Sequence, residues 1–181
     1  MKKLIILLMS LTVFCGSAAA RMPERGFNNP DGLFTMVEAK LPTAVMNYGY
    51  LGVDVVAGWR FCPQFALGVG AGVESVVLNS FQVPVYLHLR SDLLATRVSP
   101  YIALNIGYNF EISHLDPPND RPGVFVAPIL GVSYNVGSVR MTTGFEFRAQ
   151  RATGNIGTLF GEVPGKVISL GLLGLNIGVM F

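Results

Sequence analysis

The chain has 181 residues, 51% of them hydrophobic and only 13% charged, whereas an ordinary soluble domain carries about 25% charged residues. Thirteen basic residues stand against 11 acidic ones; setting aside Lys2 and Lys3 at the start of the chain makes the counts equal, and no basic patch points to nucleic acid. Beyond the first 20 residues no apolar run reaches the roughly 18 residues of a spanning helix, so the apolar surface has to be spread over strands at period two.

Residues 1–20, MKKLIILLMSLTVFCGSAAA, have the order of an export signal: a basic start at Lys2 and Lys3, an apolar run from Leu4 to Phe14, and small residues at Ala18, Ala19 and Ala20. Cleavage is expected near Ala20. Phe14 stands where a lipoprotein signal has a small residue, so Cys15 is not read as a lipid anchor. The mature chain would keep Cys62 as a lone thiol. Residues 21–31 are polar and rich in Pro and Gly and read as a periplasmic lead-in; 32–181 is the folded domain.

Eight strands follow in order: about 32–41, 49–60, 65–75, 79–90, 100–112, 123–136, 138–150 and 166–181. At about 3.3 Å per residue and a tilt near 40°, 10–13 residues cross the apolar band of an outer membrane. The connectors alternate in kind. FCPQ and the turn at Gly137 are tight, whereas PTAVMNY, SHLDPPNDRP and RATGNIGTLFGEVPG are longer. Short turns on one side and longer loops on the other are the habit of transmembrane barrels, although LLATRVS is long for the short side and the connector after residue 75 is brief for the long side. Pro84 and Pro128 each remove a ladder donor inside a central strand, and each is expected to mark a bulge.

The two faces of each strand differ. In FQVPVYLHLR, Phe81, Val83, Val85, Leu87 and Leu89 alternate with Gln82, Pro84, Tyr86, His88 and Arg90. In 100–112, Ile102, Leu104, Ile106, Tyr108 and Phe110 alternate with Ala103, Asn105, Gly107, Asn109 and Glu111. One face holds the bulk; the other holds glycine, small polar residues and nearly every strand charge. A soluble barrel needs a well-charged exterior, and the glycine-rich face is too poor in charge to supply it. Small side chains suit the cramped bore of eight strands. The bulky face is therefore expected to meet lipid, with Trp59, Phe65, Tyr134 and Phe181 forming one aromatic belt and Phe81, Tyr108, Phe110, Phe145 and Phe147 the other. The fold class is all-β: an eight-stranded antiparallel up-and-down transmembrane β-barrel.

The C-terminal NIGVMF, with Ile177, Val179 and a terminal Phe181 on one face, resembles the signal by which bacterial outer-membrane barrels are recognised for assembly. Together with AGWRFCPQFALGVGAGVE, VPVYLHLR and SPYIALNIGYNF, it makes the chain similar to small outer-membrane barrel proteins of the Bacteroidota type, broadly OmpA/OmpX-like and of the porin family. The resemblance implies a Gram-negative cell outer membrane as location. It implies outer-membrane lipid, periplasmic chaperones and the barrel assembly machinery as partners, and no particular substrate.

The inner face collects Glu38, Lys40, Asp54, Glu74, His88, Arg90, Glu111, Arg140, Glu146 and Arg148. Charges in a narrow bore must be paired or hydrated. The expected arrangement is a salt-bridged plug, with Arg148 and Lys40 among Glu38, Glu74, Glu111 and Glu146 toward the outer end. Arg90 and Arg140 are expected deeper, with Asp54 and His88. A filled lumen gives a structural or surface-interaction role, against the alternatives of a narrow channel for small solutes or a lipid-modifying enzyme. Ser113, His114 and Asp116 are the residue types a lipid-active enzyme would use, but they lie in a loop that nothing fixes. GVGAG at 68–72 is no dinucleotide fingerprint, since no helix follows. No cofactor, metal or catalytic residue is assigned.

Overall fold

The computed structural model describes residues 32–42, 50–62, 64–76, 80–94, 96–112, 120–121, 123–136, 139–158 and 161–181; for 76, 80, 111, 120–121, 151–158 and 161–171 it describes the backbone alone. The leader and lead-in therefore lie outside the described residues, as do Ser113, His114 and Asp116.

The strands are β1 (Gly32–Pro42), β2 (Tyr50–Cys62), β3 (Phe65–Val76), β4 (Ser80–Asp92), β5 (Val98–Glu111), β6 (Asp120–Arg121), β7 (Val124–Val136), β8 (Val139–Thr158) and β9 (Gly161–Met180). Each long strand pairs antiparallel with the next, and β9 returns to β1. Eight long strands thus close into an up-and-down barrel. Closure leaves the wall no edge. Reciprocal bonds between Thr35 and Phe181 seal the β1–β9 seam at the end where β1 begins and β9 finishes, called here the near end. β6 adds a two-residue ladder to the outer part of β8.

Alternation decides which face is inside. β2 reads buried and exposed in turn from Tyr50 to Cys62. Val53 is 55% exposed, Ile102 47% and Ile106 41%, whereas Arg148 is 0% exposed. The bulky apolar face is the outer surface and the ionic residues line the axis, as the pattern requires. Outward Trp59, Phe61, Tyr134 and Phe181 mark the near end; outward Phe81, Tyr108, Phe110, Phe145 and Phe147 mark the far end.

Inward glycines make the bore wide enough for large inward side chains. A Cβ on Gly174 would lie 2.7 Å from the Tyr50 hydroxyl, one on Gly144 2.7 Å from the Tyr101 hydroxyl, and one on Gly58 2.8 Å from a Phe34 ring carbon. Each of these rings therefore lies against bare backbone on another strand, which is how a small barrel reaches interior packing density.

Four details differ from the sequence reading. First, neither proline marks a bulge. The β3–β4 register runs from Ala71↔Val85 to Glu74↔Gln82 with no slip, and β7–β8 runs from Val126↔Ala149 to Ile129↔Glu146 with none. Each proline faces one neighbour with its missing N–H, and only that ladder is interrupted. Second, the last hairpin is longer. β8 extends to Thr158 and β9 begins at Gly161, with a register shift at Gly154/Ile156. The Gly, Thr and Pro content of 151–165 suggested a loop, but a one-residue slip beside Pro164 lets the ladder continue. Third, Val98 and Ser99 belong to β5, which shortens that connector. Fourth, Cys62 is not a free thiol. The lone-thiol expectation concerns the chain after removal of residues 1–20, which lie outside the described residues.

Gly174→Ala should lower stability by about 1–3 kcal/mol, the usual cost of forcing extra volume into a packed interior. Tyr50→Phe, which removes the contacting hydroxyl, should recover part of it. Urea unfolding midpoints of the refolded barrel in lipid vesicles measure both.

Candidate functional site

The inner ionic residues form two clusters, and strand registers explain both. At the far half, Lys40, Gly52, Glu74 and Gln82 lie in one lateral row across β1 to β4. Gly52 has no side chain, so Lys40 reaches over it. Its Nζ lies 3.0 Å from Glu74 Oε1, 2.5 Å from Asp54 Oδ2 and 3.8 Å from Glu146 Oε2. Arg148 grips Glu74 with both terminal nitrogens, Nη2 at 2.8 Å from Oε1. Its Nη2 is also 2.9 Å from Glu146 Oε1. Asn176 donates to Glu146 Oε2 at 2.9 Å, and the Tyr86 hydroxyl donates to Asp54 Oδ2 at 2.8 Å. The Arg148 guanidinium lies over the Tyr50 ring (4.2 Å) and the Phe125 ring (4.6 Å), contacts that favour a desolvated cation. Above this cluster Asn109 donates to Gln82 and Gln150 at 3.2 and 2.9 Å.

The near-end cluster centres on Asp92. Arg90 Nη2 is 3.0 Å from Asp92 Oδ1, Arg140 is hydrogen-bonded to Asp92 Oδ2, and Arg60 approaches to 4.0 Å. Ser133 donates to Asp92 Oδ1 at 3.3 Å, and Arg140 Nε donates to Asn135 Oδ1 at 2.8 Å. Arg90 stacks on Tyr101 at 3.8 Å. Between the clusters, His88 Nδ1 lies 2.7 Å from Asn105 Oδ1. Glu38 is buried and makes no ion pair among the described residues.

Of the expected inner residues, Lys40, Arg148, Glu74 and Glu146 come together. Asp54 joins them rather than the deeper arginines. Arg90 and Arg140 meet Asp92 and not Asp54 or His88, because Asp92 is two residues along β4 from Arg90, on the same face. The Glu111 side chain lies outside the described residues. Ile177 and Phe181 are exposed and Val179 is half-buried, all on the outer wall. Asp92 was missed because the fourth strand was ended two residues short, and Arg60 because the inward series of the second strand was followed only to Gly58. Continuing the same parity from Arg90 and Asp54 finds both. The aromatic and amide partners Tyr50, Tyr86, Tyr101, Asn105 and Asn176 carry the same parity but no charge to flag them.

Among the described residues the buried interior holds five cations (Lys40, Arg60, Arg90, Arg140, Arg148) and five carboxylates (Glu38, Asp54, Glu74, Asp92, Glu146). No group of His, Cys, Asp and Glu among them is arranged to hold a metal ion.

No family model matches the chain, and no curated protein matches it. Among solved structures it is similar to Neisserial surface protein A (NspA), with a TM-score of 0.57 and 15% identity over 82% of this chain and 94% of that one. It is also similar to the N-terminal β-barrel domain of Pseudomonas aeruginosa OprF, with a TM-score of 0.50 and 13% identity over 83% of this chain and 98% of that one. At such identities the likeness is one of fold.

Arg148→Met should destabilise by about 3–5 kcal/mol, because Glu74 and Glu146 keep their burial and lose their main partner. The double variant Arg148→Met/Glu74→Gln should cost less than the two single changes summed, by about 1–3 kcal/mol. Unfolding free energies in vesicles close that cycle.

Proposed function

We propose that the chain is an integral barrel of the outer membrane with a closed, charge-compensated bore, acting in membrane structure or surface interaction. The observation that carries this reading is the pairing of an apolar exterior with an ionic interior that is balanced five to five among the described residues. An exterior of valine, leucine, isoleucine and two aromatic belts suits lipid and would associate in water. The long strands of β1 to β7 run 11–14 residues, a length that crosses an apolar band roughly 25 Å tall when tilted. The bore of eight strands has room for side chains and little else. A channel would need a hydrated path past Arg148 and Arg90, both at most 1% exposed. The barrel likeness to NspA, a surface protein by name, agrees with a role at the cell surface. Delivery fits the outward apolar residues Ile177 and Val179 and the terminal Phe181 as the feature read by the assembly machinery after chaperone escort. Outer-membrane lipid is then the solvent of the wall.

Unboiled protein in mild detergent should migrate differently from boiled protein on a gel, and the refolded barrel should give no steady conductance in planar bilayers. Discrete conductance steps that survive purification would replace this reading with a channel.

A further inference from the structure

The two proline interruptions divide the wall unequally. Pro84 interrupts the ladder between β3 and β4, and Pro128 that between β7 and β8; their other ladders, to β5, are intact. Both lie in the far half of their strands. Between them stands a panel of three strands, β4, β5 and β7; the other five are β8, β9, β1, β2 and β3.

The ion pairs respect the same division. In the far half every ion pair among the described residues joins two members of the five-strand shell: Lys40 with Asp54, Glu74 and Glu146, and Arg148 with Glu74 and Glu146. Among the described side chains the panel makes no ion pair with that cluster. It is held there by the Tyr86 hydroxyl on Asp54, by the amides of Gln82, Asn109 and Gln150, and by ring contacts of Tyr86 and Phe125 with Lys40 and Arg148. At the near end the reverse holds. Asp92 of the panel binds Arg140 on β8 and Arg60 on β2, and Asn135 of β7 accepts from Arg140.

We propose that β4, β5 and β7 form a hinged panel. Its far half separates from β3 and β8 while the near end stays clamped at Asp92, so that water enters the bore from the far side only. A neutral contact is cheaper to break than a buried ion pair, whose separation strands a charge, and a strand that lacks a ladder donor opens locally before its neighbours. The clamp keeps the movement from becoming a through-pore, so the device coexists with a non-conducting barrel.

Amide hydrogen exchange by NMR, on the barrel in lipid nanodiscs, tests this. The probes are Gly72, opposite Pro84, and Phe147, opposite Pro128, against Glu38 and Asp54 on the uninterrupted β1–β2 ladder. The seam amides should exchange at least about tenfold faster than the controls, as locally opening segments do. Pro84→Ala should slow Gly72 and Pro128→Ala should slow Phe147, each without moving the control amides or the unboiled gel mobility. Seam amides as slow as the controls, or rates indifferent to both proline replacements, would overturn the proposal. A conductance appearing in the parent protein would contradict the closed barrel and leave the exchange result to stand or fall separately.

Discussion

An ionised side chain inside a bore this narrow has to find its counter-charge within a few ångströms, because little room remains for water to replace it. Much of the structure follows from that requirement. Lys40 serves three carboxylates, on β2, β3 and β8, and the Glu74 side chain fills the space that a Gly52 Cβ would take. Arg148 bridges β3 and β8 because Glu74 and Glu146 point inward at matching heights. Asp92 gathers three arginines at the other end. The glycines belong to the same constraint: the rings of Phe34, Tyr50, Tyr86 and Tyr101 occupy volume that another strand vacates by having no Cβ.

The exterior is the complement of this interior. Moving the charges inward leaves the wall free to be apolar over its whole girth, with aromatic side chains at the two heights where an apolar layer would meet water. The ion pairs are weak evidence for stability in themselves, since desolvation offsets much of their attraction. Their consequence is specificity: with period-two alternation, a one-residue slip of β1, β2, β3, β4 or β8 would expose a charge to lipid and bury an apolar side chain in the bore. A wall that tolerates no slip is a good scaffold for loops at a surface.

The barrel was legible because alternation repeats over eight segments, and one phase leaves the charges on the glycine side throughout. Strand ends were less so. Asp92 and Arg60 sit where a strand approaches a turn, and composition alone does not say whether parity continues. The long β8–β9 hairpin was hidden by its own residues: glycine and threonine read as loop, yet a ladder needs only backbone groups and tolerates a slip at Pro164. The prolines were read as bulges from local chemistry, whereas closure on both sides holds the register across a single missing donor. Which acid meets which base depended on stagger between strands, and no single strand carries that information. The tyrosines and amides that complete the clusters were invisible to a search for charge.

The orientation of the wall carries the whole account, and Trp59 reports on it directly. It is the single tryptophan of the chain, and its side chain is 53% exposed on the outer wall. Fluorescence of the refolded barrel in vesicles of bromine-labelled phospholipid should be strongly quenched, with little further loss on adding aqueous iodide. Full emission in brominated lipid together with efficient quenching by iodide would contradict a lipid-facing apolar wall.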